Sequence, residues 1–154
     1  MASIVRSLVR GSIARSLVVG SGGGSAPITQ FITNGGFDGD GSPWGIVNAG
    51  WTISGGVATC INAFTTRLLV EELAGTMSTG SDYVLSLDVV TANPGAILVC
   101  RLGDGFTQST VYADTPAAGP LVVPYTADID ATGIRFYCTD DTGIQIDNVS
   151  LVPA

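Results

Sequence analysis

The chain of 154 residues contains no histidine and no lysine. Without histidine, Ser-His-Asp and Cys-His nucleophile systems are excluded, and so are histidine-based zinc sites. Cysteine is sparse: Cys60, Cys100 and Cys138 are far apart, form no Cys-x-x-Cys pair and make a poor zinc set. All three lie in strand-like runs, which reads as buried free thiols. A disulfide with one thiol left over is the alternative. No glycine-rich loop leads into a helix in the pattern that cradles phosphate. No run of eighteen apolar residues occurs, so no membrane span is expected. Charged residues are only 12% of the chain. Among the acids, Glu71 and Glu72 are adjacent and point to opposite faces of a strand. Asp104 stands alone, and Asp140-Asp141 sits in a turn. Nothing in this pattern suggests the burial that raises a catalytic carboxyl, so these groups read as solvated surface charge and the chain as not an enzyme.

Hydrophobic residues make up 45%, enough for one core, and 21 Gly and 7 Pro are scattered between short apolar runs. That punctuation belongs to strands and turns. Strands are predicted over 28–33, 51–54, 57–61, 65–71, 82–90, 96–102, 108–113, 120–126, 133–138 and 143–152. Ten short strands at this spacing predict an all-β jelly-roll β-sandwich. In the last strand Ile144 and Ile146 share one face, whereas Val149 and Leu151 follow after a slip of one residue. A bulge or sharp twist at Asp147-Asn148 would return both pairs to the core and re-aim Asp147. Trp51 begins an apolar strand and reads as core. Trp44 lies in a Gly/Pro loop, where it either stacks on a sugar ring, plugs an interface or caps the end of the sandwich. Phe106, Tyr112 and Tyr125 are further aromatics whose faces the sequence does not give.

Charge divides the chain. Arg6, Arg10 and Arg15 occupy an acid-free start, whereas residues 26–154 set three Arg against thirteen acids, a net of −10. The body should repel nucleic acid. Residues 1–19 hold an imperfect repeat, Ile4-Val5-Arg6-Ser7-Leu8-Val9-Arg10 echoed by Ile13-Ala14-Arg15-Ser16-Leu17-Val18-Val19. Such an extended arm cannot bury enough of itself in water, so Ile4, Val5, Arg6, Leu8, Val9, Arg10, Ile13, Arg15, Leu17 and Val18 are expected to contact a partner protein. A secretory signal or an organelle transit peptide is the rival reading of this leader. Residues 20–25 read as a Gly/Ser linker and residues 26–154 as the jelly roll.

Ile32-Thr-Asn-Gly-Gly-Phe37-Asp38, Trp44, Gly50-Trp51-Thr-Ile-Ser-Gly-Gly-Val-Ala58 and the closing Ile146-Asp147-Asn148-Val149-Ser150-Leu151 resemble the galactose-binding-like jelly rolls of carbohydrate-binding modules. The resemblance spans residues 28–152 and implies the sandwich fold. It implies a possible structural calcium at Asp38 and Asp147, with no other cofactor, and polysaccharide contact at Trp44. Repeated Arg-Ser-Leu units ahead of such a module resemble phage structural proteins of head, neck or tail. That resemblance implies a virion surface protein assembled in the bacterial host cytoplasm. Its arm would dock on capsid, neck or tail proteins, and its jelly roll would be displayed as a homo-oligomer, with a trimer as the guess, and with host polysaccharide as a ligand. A carbohydrate-binding module of a secreted protein is the alternative.

Overall fold

The computed structural model describes residues 28–65, 68–139 and 143–154. The arm and linker therefore lie outside the described residues, as do Asp140 and Asp141. Ten strands follow in order: β1 (Gly45–Ile46), β2 (Trp51–Ser54), β3 (Val57–Cys60), β4 (Leu69–Met77), β5 (Asp82–Thr91), β6 (Ile97–Gly103), β7 (Gln108–Asp114), β8 (Gly119–Thr126), β9 (Ala131–Thr139) and β10 (Gln145–Pro153). They form two five-stranded sheets, β1-β4-β9-β6-β7 and β2-β3-β10-β5-β8, every pair antiparallel. This is the predicted jelly-roll sandwich. Alternation makes it: in β5, Tyr83, Leu85, Leu87 and Val89 are buried while the residues between them are not. β9 does the same with Ile134, Phe136 and Cys138, which meet the opposite sheet in one core.

The phase slip in β10 is a bulge. Asp147 pairs with Asp88 and Ser150 with Ser86, so Asn148 and Val149 together face one residue of β5. Asn148 adopts φ 50°, the left-handed region that asparagine tolerates. Ile146, Val149 and Leu151 are consequently all buried. The bulge is locked from outside the sheet. Val149 N donates to Gly35 O at 2.9 Å, and a Cβ on Gly35 would stand 1.8 Å from Val149 O. Only a glycine admits that backbone-to-backbone approach.

Residues 28–33, predicted as a strand, join no ladder. Phe31 N donates to Leu151 O and Phe31 O accepts from Ala74 N, so the segment bridges the two sheets. The Gln30 side chain takes a place a strand backbone would hold, its Oε1 accepting from Leu151 N at 3.0 Å and Ile32 N at 3.2 Å. One carboxylate also departs from expectation. Glu71, read as solvated, is 3% exposed, because its register partner is Ile134 on the core-facing side. Its Oε1 accepts from Thr33 N at 2.7 Å, while Oε2 is buried without a partner. Glu72 does point the other way and is exposed.

The three cysteines are free and buried. Cys60 and Cys138 touch through their sulfur atoms across the core, which lowers the Cys60 thiol and raises that of Cys138. Cys100 is pushed up by burial alone.

Two expectations follow from these contacts. Gly35→Ala should cost about 3 kcal/mol or more in urea unfolding, whereas Gly36→Ala, whose Cβ would meet nothing nearer than 3.8 Å, should stay within about 0.5 kcal/mol. Equal costs would refute the locking contact. Burial raises the Glu71 carboxyl above its ordinary 4.5, so its contribution to stability is full below that value and is lost as pH rises through the folded value. The thermal midpoint should climb as pH falls from 7 towards 4.5, and Glu71→Gln should flatten the climb. Parallel profiles for the two proteins would show that Glu71 is not the group responsible.

Candidate functional site

Asn34 organises the loop that carries the sequence-selected residues. Its Oδ1 accepts from Asp38 N at 3.0 Å, and its Nδ2 donates to Asp38 O and Ser42 O. Its backbone oxygen accepts from Trp44 Nε1 at 2.7 Å. Trp44 is thereby drawn inward and is only 7% exposed, its ring against Phe37 at 5.1 Å and Phe136 at 6.0 Å. The indole caps the core and offers no free face to a sugar, which corrects the expected glycan contact. Trp51 is core, as expected.

Asp38 is exposed, and its carboxylate lies on the Gly36–Asn148 side of the loop. Asp147 Oδ1 accepts from the next residue, Asn148 N, at 2.6 Å, and it is Asn148 Nδ2 that reaches across to Asp88 Oδ2. Among the described residues no three Cys, Asp or Glu side chains converge on one point. Calcium requires six to eight oxygens, so an ion at Asp38 and Asp147 would draw most of them from backbone carbonyls.

The open cleft lies elsewhere, on the outer face of the β1-β4-β9-β6-β7 sheet. Strand register aligns its outward residues in rows. Val70, Arg135, Arg101 and Thr110 form one row across β4, β9, β6 and β7, and Glu72, Gly133, Gly103 and Gln108 form the next. In the second row the two central strands carry glycine, so the sheet has no side chains there and a cleft of about 230 Å³ opens. Glu72, Asp104, Thr132 and Arg135 are among the residues around it. The two glycines have different reasons. A Cβ on Gly103 would strike Thr107 O at 2.1 Å, because the β6–β7 hairpin folds back over it, whereas a Cβ on Gly133 would meet nothing nearer than 3.4 Å. Gly133 therefore leaves space that the fold does not require.

The hairpin rim is held by Asp104, whose Oδ1 accepts from Phe106 N at 2.8 Å and Thr107 N at 2.7 Å. The amides of Thr107 and Phe106, and more weakly the charge of Arg135, hold that carboxyl below its usual range. Phe106 at the tip is 98% exposed. In the adjacent row Arg101 lies over the Tyr137 ring, 5.2 Å from its centroid. Tyr137 and Val99 are buried although they face away from the core.

Neither Arg101, Arg135, Gly103 nor Gly133 stands out in the sequence as a site. The sequence set Gly103 just past the predicted strand 96–102 and Gly133 at the start of 133–138, where glycine reads as turn chemistry, and only the structure places both inside strands. Phe106 had been noted only as an aromatic of unknown face, and Tyr112 and Tyr125 prove half-buried against the core.

No protein-family profile and no curated protein matches this chain. Solved structures do. A family 4 carbohydrate-binding module matches with TM-score 0.60 at 21% identity over 80% of this chain and 99% of its own. A family 29 module complexed with cellulohexaose matches with TM-score 0.56 at 11% identity over 82% and 92%. The Clostridium thermocellum xylanase 10B structure, comprising a family 22 module and a catalytic module with xylohexaose, matches with TM-score 0.55 at 15% identity, over 82% of this chain and 28% of that one. At these identities the likeness concerns the fold, and the described body has the jelly-roll architecture of carbohydrate-binding modules.

Proposed function

We propose that the body is a non-catalytic carbohydrate-binding domain that lays a glycan across the outer face of the β1-β4-β9-β6-β7 sheet. The observation that carries this is the glycine-floored cleft, bordered by a hairpin whose tip exposes an aromatic ring. Phe106 is fully in water beside a cleft bordered by acceptor carboxylates and a guanidinium, the mix that sugar faces and hydroxyls require. The matched structures with cellulohexaose and xylohexaose support saccharide as the ligand class. Catalysis is not favoured: the Asp104 carboxyl is held below its usual range by the hairpin amides, and the raised carboxyl of Glu71 is turned into the core.

Gly133→Val should fill the cleft while suiting the strand. Binding to β-linked oligosaccharides in titration calorimetry should drop at least about tenfold with the unfolding midpoint nearly unchanged. Phe106→Ala should weaken binding roughly three- to tenfold, the loss of about 0.5–1.5 kcal/mol of ring contact. Wild-type affinity in both variants would remove the cleft from the reading.

A second reading, display of this body on a virion through the arm, is favoured by the Arg-Ser-Leu repeat of residues 4–19 alone. Deleting residues 1–24 should then leave a folded body that fails to join particles, and normal incorporation would dispose of it.

A further inference from the structure

Arg101 and Arg135 are directly paired across β6 and β9 and share the outer face. Like charges in directly opposed positions destabilise a sheet. The arrangement is more pointed for its setting: residues 26–154 contain only three arginines against thirteen acids, and two of the three are neighbours here. The described acids offset the pair only in part: Asp104 lies within reach of the Arg135 charge, and Glu72 borders the same cleft. Asp104, the carboxylate that senses Arg135, already spends its Oδ1 on two hairpin amides. Glu71 on the neighbouring strand faces the core. Arg101 is held in place by the Tyr137 ring beneath it, yet its Nε is buried and donates to nothing. A guanidinium fixed over a ring beside a second guanidinium sets two positive charges where one carboxylate could meet both.

Resting on the saccharide reading of the cleft, we infer that Arg101 and Arg135 together take the carboxylate of a uronic-acid unit in a glycan that is otherwise neutral. Planar carboxylate matches the guanidinium fork, and two forks on adjacent strands can hold its two oxygens. The neutral remainder of the chain is equally determined. Glu72 and Asp104 border the same cleft, and the body carries a net −10, so a densely charged polymer such as a sulfated glycan or nucleic acid is repelled. An isolated carboxylate on the arginine pair, with hydroxyls donating to Glu72 and Asp104 close by, suits these surroundings.

The test is affinity electrophoresis and titration calorimetry of the full chain with three polymers: a xylan bearing sparse glucuronic acid, the same xylan after carboxyl reduction, and heparin. Wild type should bind the uronate-bearing xylan about ten- to a hundredfold more tightly than the reduced one. Arg101→Gln and Arg135→Gln should each erase most of that difference without lowering the unfolding midpoint, and Arg101→Lys should keep only part of it. Added salt should shrink the preference. Equal binding of the two xylans would overturn this inference and leave the saccharide reading standing. No binding to either would overturn both. Heparin bound as well as the uronate-bearing xylan would show a general anion patch and overturn the assignment to sparse uronate.

Discussion

The sandwich depends on one backbone contact, the approach of Gly35 to Val149. β10 sits in the middle of its sheet, between β3 and β5, and must keep apolar residues inward along its whole length. Its sequence fails to do so with a constant period, and the bulge at Asn148 repairs the phase. A bulge leaves unpaired backbone groups, and Gly35 O takes the one at Val149 N. The same opening loop then runs through Asn34, whose amide and carbonyl fix Asp38, Ser42 and the Trp44 indole. Phe37, Trp44 and Phe136 close over the core end as a consequence. The opening and closing segments of the body are thus one structural unit, although more than a hundred residues separate them in the chain.

What the core gains, the outer face of the opposite sheet gives up in part. A paired arginine row, a fully exposed phenylalanine at a hairpin tip, and a strand glycine with room for a side chain are each unfavourable or neutral for folding. Folding by itself gives no reason for any of the three. Glu71 shows the opposite economy. It is a costly buried carboxyl, but it satisfies Thr33 N where the irregular segment 28–33 crosses between the sheets. Its role is to tie that segment down.

Much of the fold was legible along the chain. Turn clusters marked most strands to within a few residues, although β4 runs to Met77 where 65–71 was expected and β1 was not foreseen, and the slip between Ile146 and Val149 announced the bulge. The segment 28–33 misled because its β-branched, apolar composition suits a strand, while Gln30 substitutes a side chain for the ladder. For Trp44 the sequence left sugar stacking, an interface plug and an end cap open, and the partner that decides for the cap, Asn34 O, lies outside any local pattern. The cleft was the least legible part, since Gly103 and Gly133, like Arg101 and Arg135, lie on strands that are not consecutive.

By itself, then, the sequence determined the all-β class, the inward periodicity, the acidic body and the exclusion of histidine chemistry, because these follow from composition and from alternation along single strands. Tertiary structure alone decided which residues come together at the candidate site. Strand order sets β9 beside β6, and only that adjacency converts scattered glycines and arginines into a floor and a charged row.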